Sequence, residues 1–161
     1  MRIFVTGANG QLGQELVRCV IAAGHTAISS THESLDITNE QAVIAAISEA
    51  KPDVVIHAAA WTAVDACESD PNKAMLVNGT ATAYIAAAAH AVGAHVVYIS
   101  TDYVFDGTKT SPYVEADVPN PTSVYGESKL AGERALGATD AIVRIAWVSG
   151  YHGANMVKTI L

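Results

Sequence analysis

The stretch Val5-Thr6-Gly7-Ala8-Asn9-Gly10-Gln11-Leu12-Gly13 decides the fold of this chain. It follows a short apolar run, Arg2–Thr6, which predicts a buried β-strand, and it opens a segment with apolar residues at helical spacing up to Ala23. Glycines between a strand and a helix give a tight turn, let another group approach the backbone, and let the helix pack closely on the strand. This strand–turn–helix unit predicts a doubly wound α/β domain.

The same turn is a candidate anion site. The N-terminus of the following helix offers free N–H groups and the positive end of the helix dipole. The pattern therefore predicts that the pyrophosphate of a dinucleotide lies against the turn; the alternative is that the glycines serve turn geometry alone. The residues expected to bind this cofactor are Gly7, Asn9, Gly10, Gln11, Leu12 and Gly13.

Strand and helix patterns alternate along the rest of the chain. The predicted strands are Arg2–Thr6, His25–Ser30, Val54–His57, His95–Ser100 and Ala141–Trp147. The predicted helices are Gln11–Ala23, one from a cap at Thr38 or Asn39 to about Ala50, a long one from Asp70–Pro71 to near Gly93, Val124–Leu136, and a last one reaching Leu161. Alternation of this kind predicts a parallel sheet covered by helices on both faces, as in a Rossmann-type fold. We expect residues 1–161 to form one dinucleotide-binding domain.

Composition excludes several classes of partner. The chain has 16 acidic residues against nine Lys and Arg and shows no basic cluster, so nucleic-acid binding is not expected. No apolar run approaches the ~20 residues of a membrane span, and no secretory signal is evident, so we expect a soluble cytoplasmic protein. The histidines and the two cysteines, Cys19 and Cys67, show no metal-binding spacing, so no metal site is expected.

Three residues form a candidate catalytic set. Tyr125 and Lys129 are four residues apart on a predicted helix and therefore share a face. A free tyrosine has a pKa of about 10, and a nearby ammonium lowers the pKa, so the pair suits proton transfer during carbonyl reduction beside a nicotinamide. Thr101 follows a predicted strand, at the sheet edge where open α/β folds bind their ligands.

The glycine turn, Thr101 and the Tyr-x-x-x-Lys pair occur in the order of the short-chain dehydrogenase/reductase superfamily, which this chain resembles. The form Thr-Gly-x-x-Gly-x-x-Gly is similar to that of the extended branch, which acts mainly on nucleotide sugars. More narrowly, the chain resembles the dTDP-4-dehydrorhamnose reductase family over its whole length. The segments that carry this resemblance are Ala58–Asp65 (AAAWTAVD), Ser100–Gly107 (STDYVFDG), Val124–Glu133 (VYGESKLAGE) and Arg144–Val148 (RIAWV).

The resemblance implies an activity: NADPH or NADH would deliver a hydride to C4 of dTDP-4-dehydro-L-rhamnose and give dTDP-L-rhamnose. Tyr125 would protonate the developing alkoxide, Lys129 would hold the nicotinamide ribose and lower the Tyr125 pKa, and Thr101 would donate a hydrogen bond to the keto oxygen. Further expected cofactor-binding residues are Asp36, Ile37, Ala58, Ala59, Ala60, Tyr125 and Lys129. The expected substrate-binding residues besides Thr101 are Asp102, Tyr103 and Trp147.

Several residues have two interpretations. Asn78 matches a position that often supports the lysine through water, or it is a helix residue that touches the neighbouring strand. Trp61 and Asp65 either shape a loop or lie near the site. Glu15 and Glu133 are expected to be solvated on helix surfaces.

The sequence leaves the choice between NAD and NADP open. No acidic residue ends the second strand, where Ser29–Thr31 stand and Glu33 follows, and no arginine accompanies them. Members of the family are about twice as long, so we expect that a C-terminal substrate-binding part is missing and that this chain binds cofactor with little or no turnover. The resemblance also allows a homodimer of the full-length protein. The alternatives are another extended nucleotide-sugar reductase or epimerase, and a non-catalytic NAD(P)-binding regulatory subunit.

Overall fold

The computed structural model describes residues 1–153 and 155–160. A sheet of five parallel strands runs through these residues, in the order β2-β1-β3-β4-β5. The chain leaves β1 for β2, then crosses back over β1 to reach β3, so the direction of winding reverses between β1 and β3. Ligands of open α/β sheets bind at the carboxyl ends of the strands at this reversal. The strands are β1 Arg2–Thr6, β2 Thr26–Ser30, β3 Val54–His57, β4 His95–Thr101 and β5 Ala141–Ile145.

Helices connect consecutive strands and confirm the predicted doubly wound, Rossmann-type α/β fold. A π-helical turn at Met75–Thr80 joins two of them, and a 3₁₀ turn at Asp102–Val104 follows β4. The helices are α1 Gln11–Ala22, α2 Glu40–Ala50, α3 Val64–Ser69, α4 Pro71–Ala74, α5 Ala81–Ala91, α6 Val124–Glu133 and α7 Met156–Ile160. None of those in the described residues combines the length and apolarity needed to cross a membrane.

The two faces of the sheet bury separate apolar cores, because successive side chains of a strand point to opposite faces. On one face, α2 and α5 pack their apolar residues against alternate residues of β1, β3 and β4; this core includes Phe4, Val43, Ile47, Val55, Ile85 and Val96. On the other face, α1 packs against the remaining residues of β1; this core includes Ile3, Val5 and Val20.

Three predicted boundaries are wrong for local reasons. The last strand ends at Ile145 and not at Trp147, because Trp147 has a left-handed backbone with φ of 50°. The helix expected to reach Leu136 ends at Glu133, where the chain tightens and Leu136 N–H donates to the carbonyl of Glu133, three residues back. The single long helix expected after Pro71 is interrupted by the π-helical turn.

Candidate active site

The glycine turn leaves its backbone open at the reversal point of the sheet. Gly7 has φ of 65°, in the left-handed region, and a Cβ added there would lie 2.9 Å from the backbone nitrogen of Ala59. A Cβ at Gly13 would collide with the carbonyl oxygen of Gly7, so only glycine lets α1 approach the turn this closely. The N-cap of α1 is Gly10, which has no side chain to cover the first amides of the helix.

A cavity of about 470 Å³ extends from this turn to the carboxyl ends of β4 and β5. It brings together most of the residues predicted from the sequence, although they lie far apart along the chain. The predicted residues on its lining are Gly7, Gly10, Gln11, Leu12, Gly13, Ala58, Ala60, Thr101, Asp102, Tyr103, Tyr125, Lys129 and Trp147. The lining also includes residues that were not predicted, namely Thr62, Val64, Ile99, Ser100, Ile145, Ala146 and Val148. All of them except Ile99 lie in the sequence segments that carry the family resemblance, which is the signal that could have indicated them.

A second cavity of about 270 Å³ lies on the other side of the turn, beside the end of β2. The Asp36 carboxylate accepts hydrogen bonds from both the N–H and the hydroxyl of Thr38, which fixes the loop before α2. Ile37 is buried in the core and also reaches this cavity. Its lining includes the predicted residues Gly7, Asn9, Gly10, Asp36, Ile37, Ala58, Ala59 and Ala60, together with Ser30, Thr31, His32, Leu35, Thr38 and Val77.

The candidate catalytic side chains meet on the lining of the larger cavity. Thr101 ends β4, donates a hydrogen bond from its hydroxyl to Asp102 Oδ1 (3.2 Å), and accepts one from the N–H of Tyr103 (3.2 Å). Tyr125 lies in the first turn of α6, where Ser123 caps the helix, and Tyr103 packs edge-on against it at 5.6 Å. Lys129, one helical turn later, donates to the carbonyl oxygen of Ile99 (2.7 Å).

Burial governs the charges in this set. Burial raises the pKa of Tyr125, while the hydroxyl of Thr101 acts in the opposite direction. Burial lowers the pKa of Lys129 to about 7, while the negative charge of Glu133 opposes this shift. The expectation that Lys129 lowers the Tyr125 pKa is wrong for this structure, because the ammonium faces the Ile99 carbonyl and the Tyr98 ring and the phenol is removed from water.

Asn78 connects the loop after β3 to α6. It lies in the π-helical turn, its Oδ1 accepts from the N–H of Trp61 (2.8 Å), and its Nδ2 donates to the Trp61 carbonyl (3.0 Å) and to Ser128 Oγ (3.0 Å). These side-chain contacts are with a loop and with α6. The expected contact with a neighbouring strand is confirmed through the backbone, because the Tyr98 hydroxyl of β4 donates to the Asn78 carbonyl (3.2 Å). Trp61 therefore shapes the loop after β3 through its backbone N–H and carbonyl, which both bind the Asn78 side chain.

Glu133 is not solvated as expected but buried. Arg144 of β5 donates to both carboxylate oxygens, at 2.9 and 2.7 Å, and Ser100 Oγ donates to one of them at 2.5 Å. The side chain lies one turn beyond Lys129 on the same face of α6, and that face packs on the sheet. Glu15, by contrast, is partly exposed and pairs with Arg18.

The predicted substrate-binding residues stand at the mouth of the cavity. Tyr103 is 43% exposed and Trp147 is 74% exposed, although both are large and apolar. Asp102 lies between Thr101 and Tyr103 and is exposed. The part of the chain that the structure describes contains no cluster of three or more His, Cys, Asp or Glu side chains that would hold a metal ion.

Known proteins are similar in sequence to this chain along its whole length. Residues 1–161 match the family model described as RmlD substrate binding domain. The chain is 46% identical over 164 residues to a dTDP-4-dehydrorhamnose reductase of Burkholderia thailandensis; the match covers 100% of this chain and 55% of the relative. The chain thus spans about half the length of the curated relatives it matches.

Two solved structures have nearly the same backbone. A dTDP-4-dehydrorhamnose reductase of Clostridium acetobutylicum is similar with a TM-score of 0.95 and 47% identity, over 99% of this chain and 58% of that one. A dTDP-4-dehydrorhamnose reductase of Bacillus anthracis in complex with NADP is similar with a TM-score of 0.95 and 40% identity, over the same shares of the two chains.

Proposed function

The chain belongs to the family described as the RmlD substrate binding domain, and on this basis we propose that it is the cofactor-binding and catalytic part of a dTDP-4-dehydrorhamnose reductase. The proposed reaction reduces the C4 keto group of dTDP-4-dehydro-L-rhamnose to the alcohol of dTDP-L-rhamnose. The proposed cofactor is NADPH or NADH, since the related reductase of Bacillus anthracis is in complex with NADP.

One observation carries this proposal: a single cavity of about 470 Å³ is lined by the glycine turn and by Thr101, Tyr125 and Lys129. These residues come from three separate parts of the chain. If Tyr125 and Lys129 merely lay on a solvated helix surface, there would be no reason for them to share a cavity with the glycine turn and Thr101. A pocket that combines a phosphate-binding turn with an acid–base group whose pKa is shifted is the usual form of an active site.

The residues of the turn fit a dinucleotide. A Cβ at Gly7 or Gly13 would collide with backbone atoms, so the turn keeps its concave shape only with glycine at these positions. The amides at the N-terminus of α1 have no side-chain cap and suit a pyrophosphate. The second cavity, lined by Asp36 and Ile37, suits the adenosine end. A bound NADPH or NADH supplies the hydride that reaches the carbonyl carbon of the substrate.

The protein's own residues handle the proton and the developing charge. The raised pKa of Tyr125 keeps its proton on the phenol until the substrate oxygen becomes negative, and the phenol then donates that proton to this oxygen. The hydroxyl of Thr101 donates a hydrogen bond to the same oxygen. The Lys129 ammonium would bind the hydroxyls of the cofactor ribose through the donors that its contacts with the Ile99 carbonyl and the Tyr98 ring leave free. One hydride and one proton convert the ketone to the alcohol.

The substrate side of the proposal rests on the mouth of the cavity. Asp102, Tyr103 and Trp147 surround the opening and are placed to contact the sugar. An exposed tyrosine and an exposed tryptophan offer apolar surface for a sugar ring. That the protein is cytoplasmic, and that its full-length form is a homodimer, remain predictions.

The test separates binding from chemistry. We expect this chain to bind NADPH in a fluorescence titration. We expect little turnover, so that dTDP-L-rhamnose forms slowly and is detected by mass spectrometry only at high protein concentration. Tyr125→Phe should keep the NADPH affinity within about twofold and lower product formation about 100-fold or more. The matched control is Tyr84→Phe, which removes a tyrosine hydroxyl from α5, outside the cavity.

Absence of NADPH and NADH binding would contradict the proposal. Equal product formation by Tyr125→Phe and the wild-type chain would also contradict it, because the phenol would then donate no proton. Turnover of a different keto sugar, with the rhamnose precursor inert, would assign the chain to another nucleotide-sugar reductase.

A further inference from the structure

Lys129 rests on a buried aromatic ring. Its ammonium nitrogen lies 4.1 Å from the centre of the Tyr98 ring, within the range of a cation–π interaction. Tyr98 is fully buried and Lys129 nearly so. Tyr98 belongs to β4, three residues before Thr101, and Lys129 belongs to α6, so this contact joins the two elements that carry the candidate catalytic residues.

The surrounding structure holds the Tyr98 ring in place. His57 on the neighbouring strand stacks against the ring, with centroids 5.5 Å apart. The Tyr98 hydroxyl donates to the carbonyl oxygen of Asn78 (3.2 Å), which also accepts a hydrogen bond from the hydroxyl of Thr82 (2.7 Å). A Cβ at Gly132 of α6 would collide with the Tyr98 hydroxyl, so glycine at this position makes room for the tyrosine.

The ring compensates for a shortage of hydrogen bonds to the ammonium. A lysine ammonium has three donors, and removing it from water is costly unless these donors and the charge are compensated. Within residues 1–153 and 155–160, the Ile99 carbonyl is the one acceptor that this ammonium contacts. The negative face of the Tyr98 ring stabilises the charge and faces one side of the ammonium, as the Ile99 carbonyl does another. The remaining donor is left for the side of Lys129 that lines the cavity.

We propose that Tyr98 is a positioning residue for Lys129: its buried ring fixes the ammonium at the floor of the cavity and stabilises its charge there. The consequence for ligand binding rests on the proposed function. If Lys129 binds the hydroxyls of a cofactor ribose, Tyr98 extends the pH range over which the ammonium is available to do so.

Other groups that face Lys129 act differently from the ring. Burial lowers the pKa of His57 to about 3, so His57 is uncharged near neutral pH and adds no repulsion. Burial also raises the pKa of the Tyr98 phenol, so the ring is neutral in the same range. Glu133, whose negative charge favours the ammonium, is itself paired with a guanidinium. The titratable or charged groups near Lys129 are His57 of β3, Tyr98 of β4, Tyr125 and Glu133 of α6, and Asp102 on the cavity lining. Arg144 of β5 acts on Lys129 indirectly, through its ion pair with Glu133.

The test measures the Lys129 titration directly, in the whole chain and without ligand. Lysine labelled with ¹³C at Cε gives a resonance that follows the charge of each ammonium, and loss of one resonance in Lys129→Met assigns Lys129. The two key variants carry phenylalanine and pentafluorophenylalanine at position 98. Both lack the hydroxyl and have a planar six-membered ring, the fluorinated one being slightly larger, but fluorination reverses the sign of the charge on the ring face. The lysines to be resolved are Lys51, Lys73, Lys109, Lys129 and Lys158.

We expect Tyr98→Phe to leave the Lys129 titration midpoint within about 0.3 pH units of wild type. We expect the fluorinated ring to lower the midpoint by about 0.5 to 1.5 pH units, and Tyr98→Leu to lower it by a similar amount. Equal midpoints for the two ring variants would overturn the proposal, because the face of the ring would then stabilise no charge. A shift in Tyr98→Phe as large as that of the fluorinated variant would overturn it too, since the hydroxyl would then be responsible.

NADPH titrations of the same variants across pH separate this inference from the proposed function. We expect the pH above which NADPH affinity falls to move down in the same order as the Lys129 midpoints. If the wild-type chain binds no NADPH while the midpoints shift as expected, the proposed function fails and the Tyr98 assignment stands. If NADPH binds and the midpoints do not shift, the Tyr98 assignment fails and the proposed function stands.

Discussion

The Glu133–Arg144 ion pair joins α6 to β5 in a place that water barely reaches. The Glu133 side chain is 4% exposed and the Arg144 side chain 22% exposed, and two hydrogen bonds connect them. Ser100, the residue before Thr101, donates to the same carboxylate. Loss of one partner therefore leaves a buried charge without compensation, which is far more costly than the pair itself is stabilising.

We expect Arg144→Ala to lower the free energy of unfolding by about 3 kcal/mol, because it leaves the Glu133 carboxylate buried and unpaired. Urea unfolding followed by circular dichroism measures this. The matched control is Arg18→Ala, which removes an arginine from the exposed pair with Glu15 and should lower the free energy of unfolding far less, because water screens that pair. Equal costs for the two variants would show that the Glu133 carboxylate is solvated after all.

His57 is a buried histidine with both ring nitrogens engaged. Its Nδ1 is 2.7 Å from Thr6 Oγ1 and its Nε2 is 3.2 Å from Thr82 Oγ1, so it connects β1, β3 and α5. Burial, reinforced by the positive charge of Lys129, lowers its pKa to about 3. Between about pH 6.5 and pH 3 the unfolded chain therefore carries a proton on this histidine that the folded chain does not.

We expect the free energy of unfolding to fall as the pH falls below about 6.5, with His57 contributing up to about 1.4 kcal/mol per pH unit in this window. Urea unfolding between about pH 7 and pH 5 measures the slope. His57→Gln removes the titrating group and should give a flatter dependence, while the other titrating groups are common to both chains. Parallel dependences would mean that His57 is protonated in the folded state.

At the scale of elements, α6 depends on glycine where it crosses the 3₁₀ turn after β4. A Cβ at Gly126 would collide with the carbonyl oxygen of Tyr103 and lie 3.0 Å from Pro121 Cβ. The obstacle is backbone and cannot swing aside. This close approach places Tyr125 of α6 beside Thr101 and Tyr103.

Gly126→Ala sets two effects against each other. Alanine favours a helix over glycine by about 1 kcal/mol, whereas forcing an atom into packed structure costs about 1–3 kcal/mol or more. Because the Tyr103 carbonyl cannot move freely, we expect the steric cost to exceed the gain in helix propensity, so that the free energy of unfolding falls. Gly137→Ala is the control: its Cβ would lie 3.4 Å from a His90 side-chain atom, so we expect a change within about 0.5 kcal/mol. A more stable Gly126→Ala chain would refute the close approach.

At the scale of the whole molecule, the two cavities lie on either side of the glycine turn and together reach from β2 to β5. A dinucleotide bound across both would contact the carboxyl ends of all five strands. Such a ligand binds only the folded chain, so its binding free energy adds to the stability of the fold.

We expect NADPH at about 100 times its dissociation constant to stabilise the chain by about 2.7 kcal/mol, which raises Tm by about 5–11 °C for a chain of this size. Scanning calorimetry with and without NADPH measures the shift. Tyr125→Phe should show the same shift if the proposed function holds, because the phenol is then needed for proton transfer and contributes little to cofactor affinity. An unchanged Tm at saturating NADPH would contradict cofactor binding across the turn.

Short-range patterns in the sequence were enough for the fold class and for the catalytic candidates. The glycine turn, the alternation of strand and helix, and the spacing of Tyr125 and Lys129 are encoded within a few residues each, because period and turn geometry are local properties. The carboxyl ends of parallel strands meet at one edge, so the turn and Thr101 had to lie at the same edge of the sheet.

The tertiary structure alone decided the environment of these residues. Whether Glu133 is solvated, and what the Lys129 ammonium faces, depend on which strands α6 covers, and Tyr98 and Arg144 come from distant parts of the chain. The same holds for the Tyr125 pKa, since burial is set by packing and not by spacing along a helix. The sequence by itself thus determined the fold and indicated Thr101, Tyr125 and Lys129 as catalytic candidates. Packing between distant elements determined the charges and contacts of these residues.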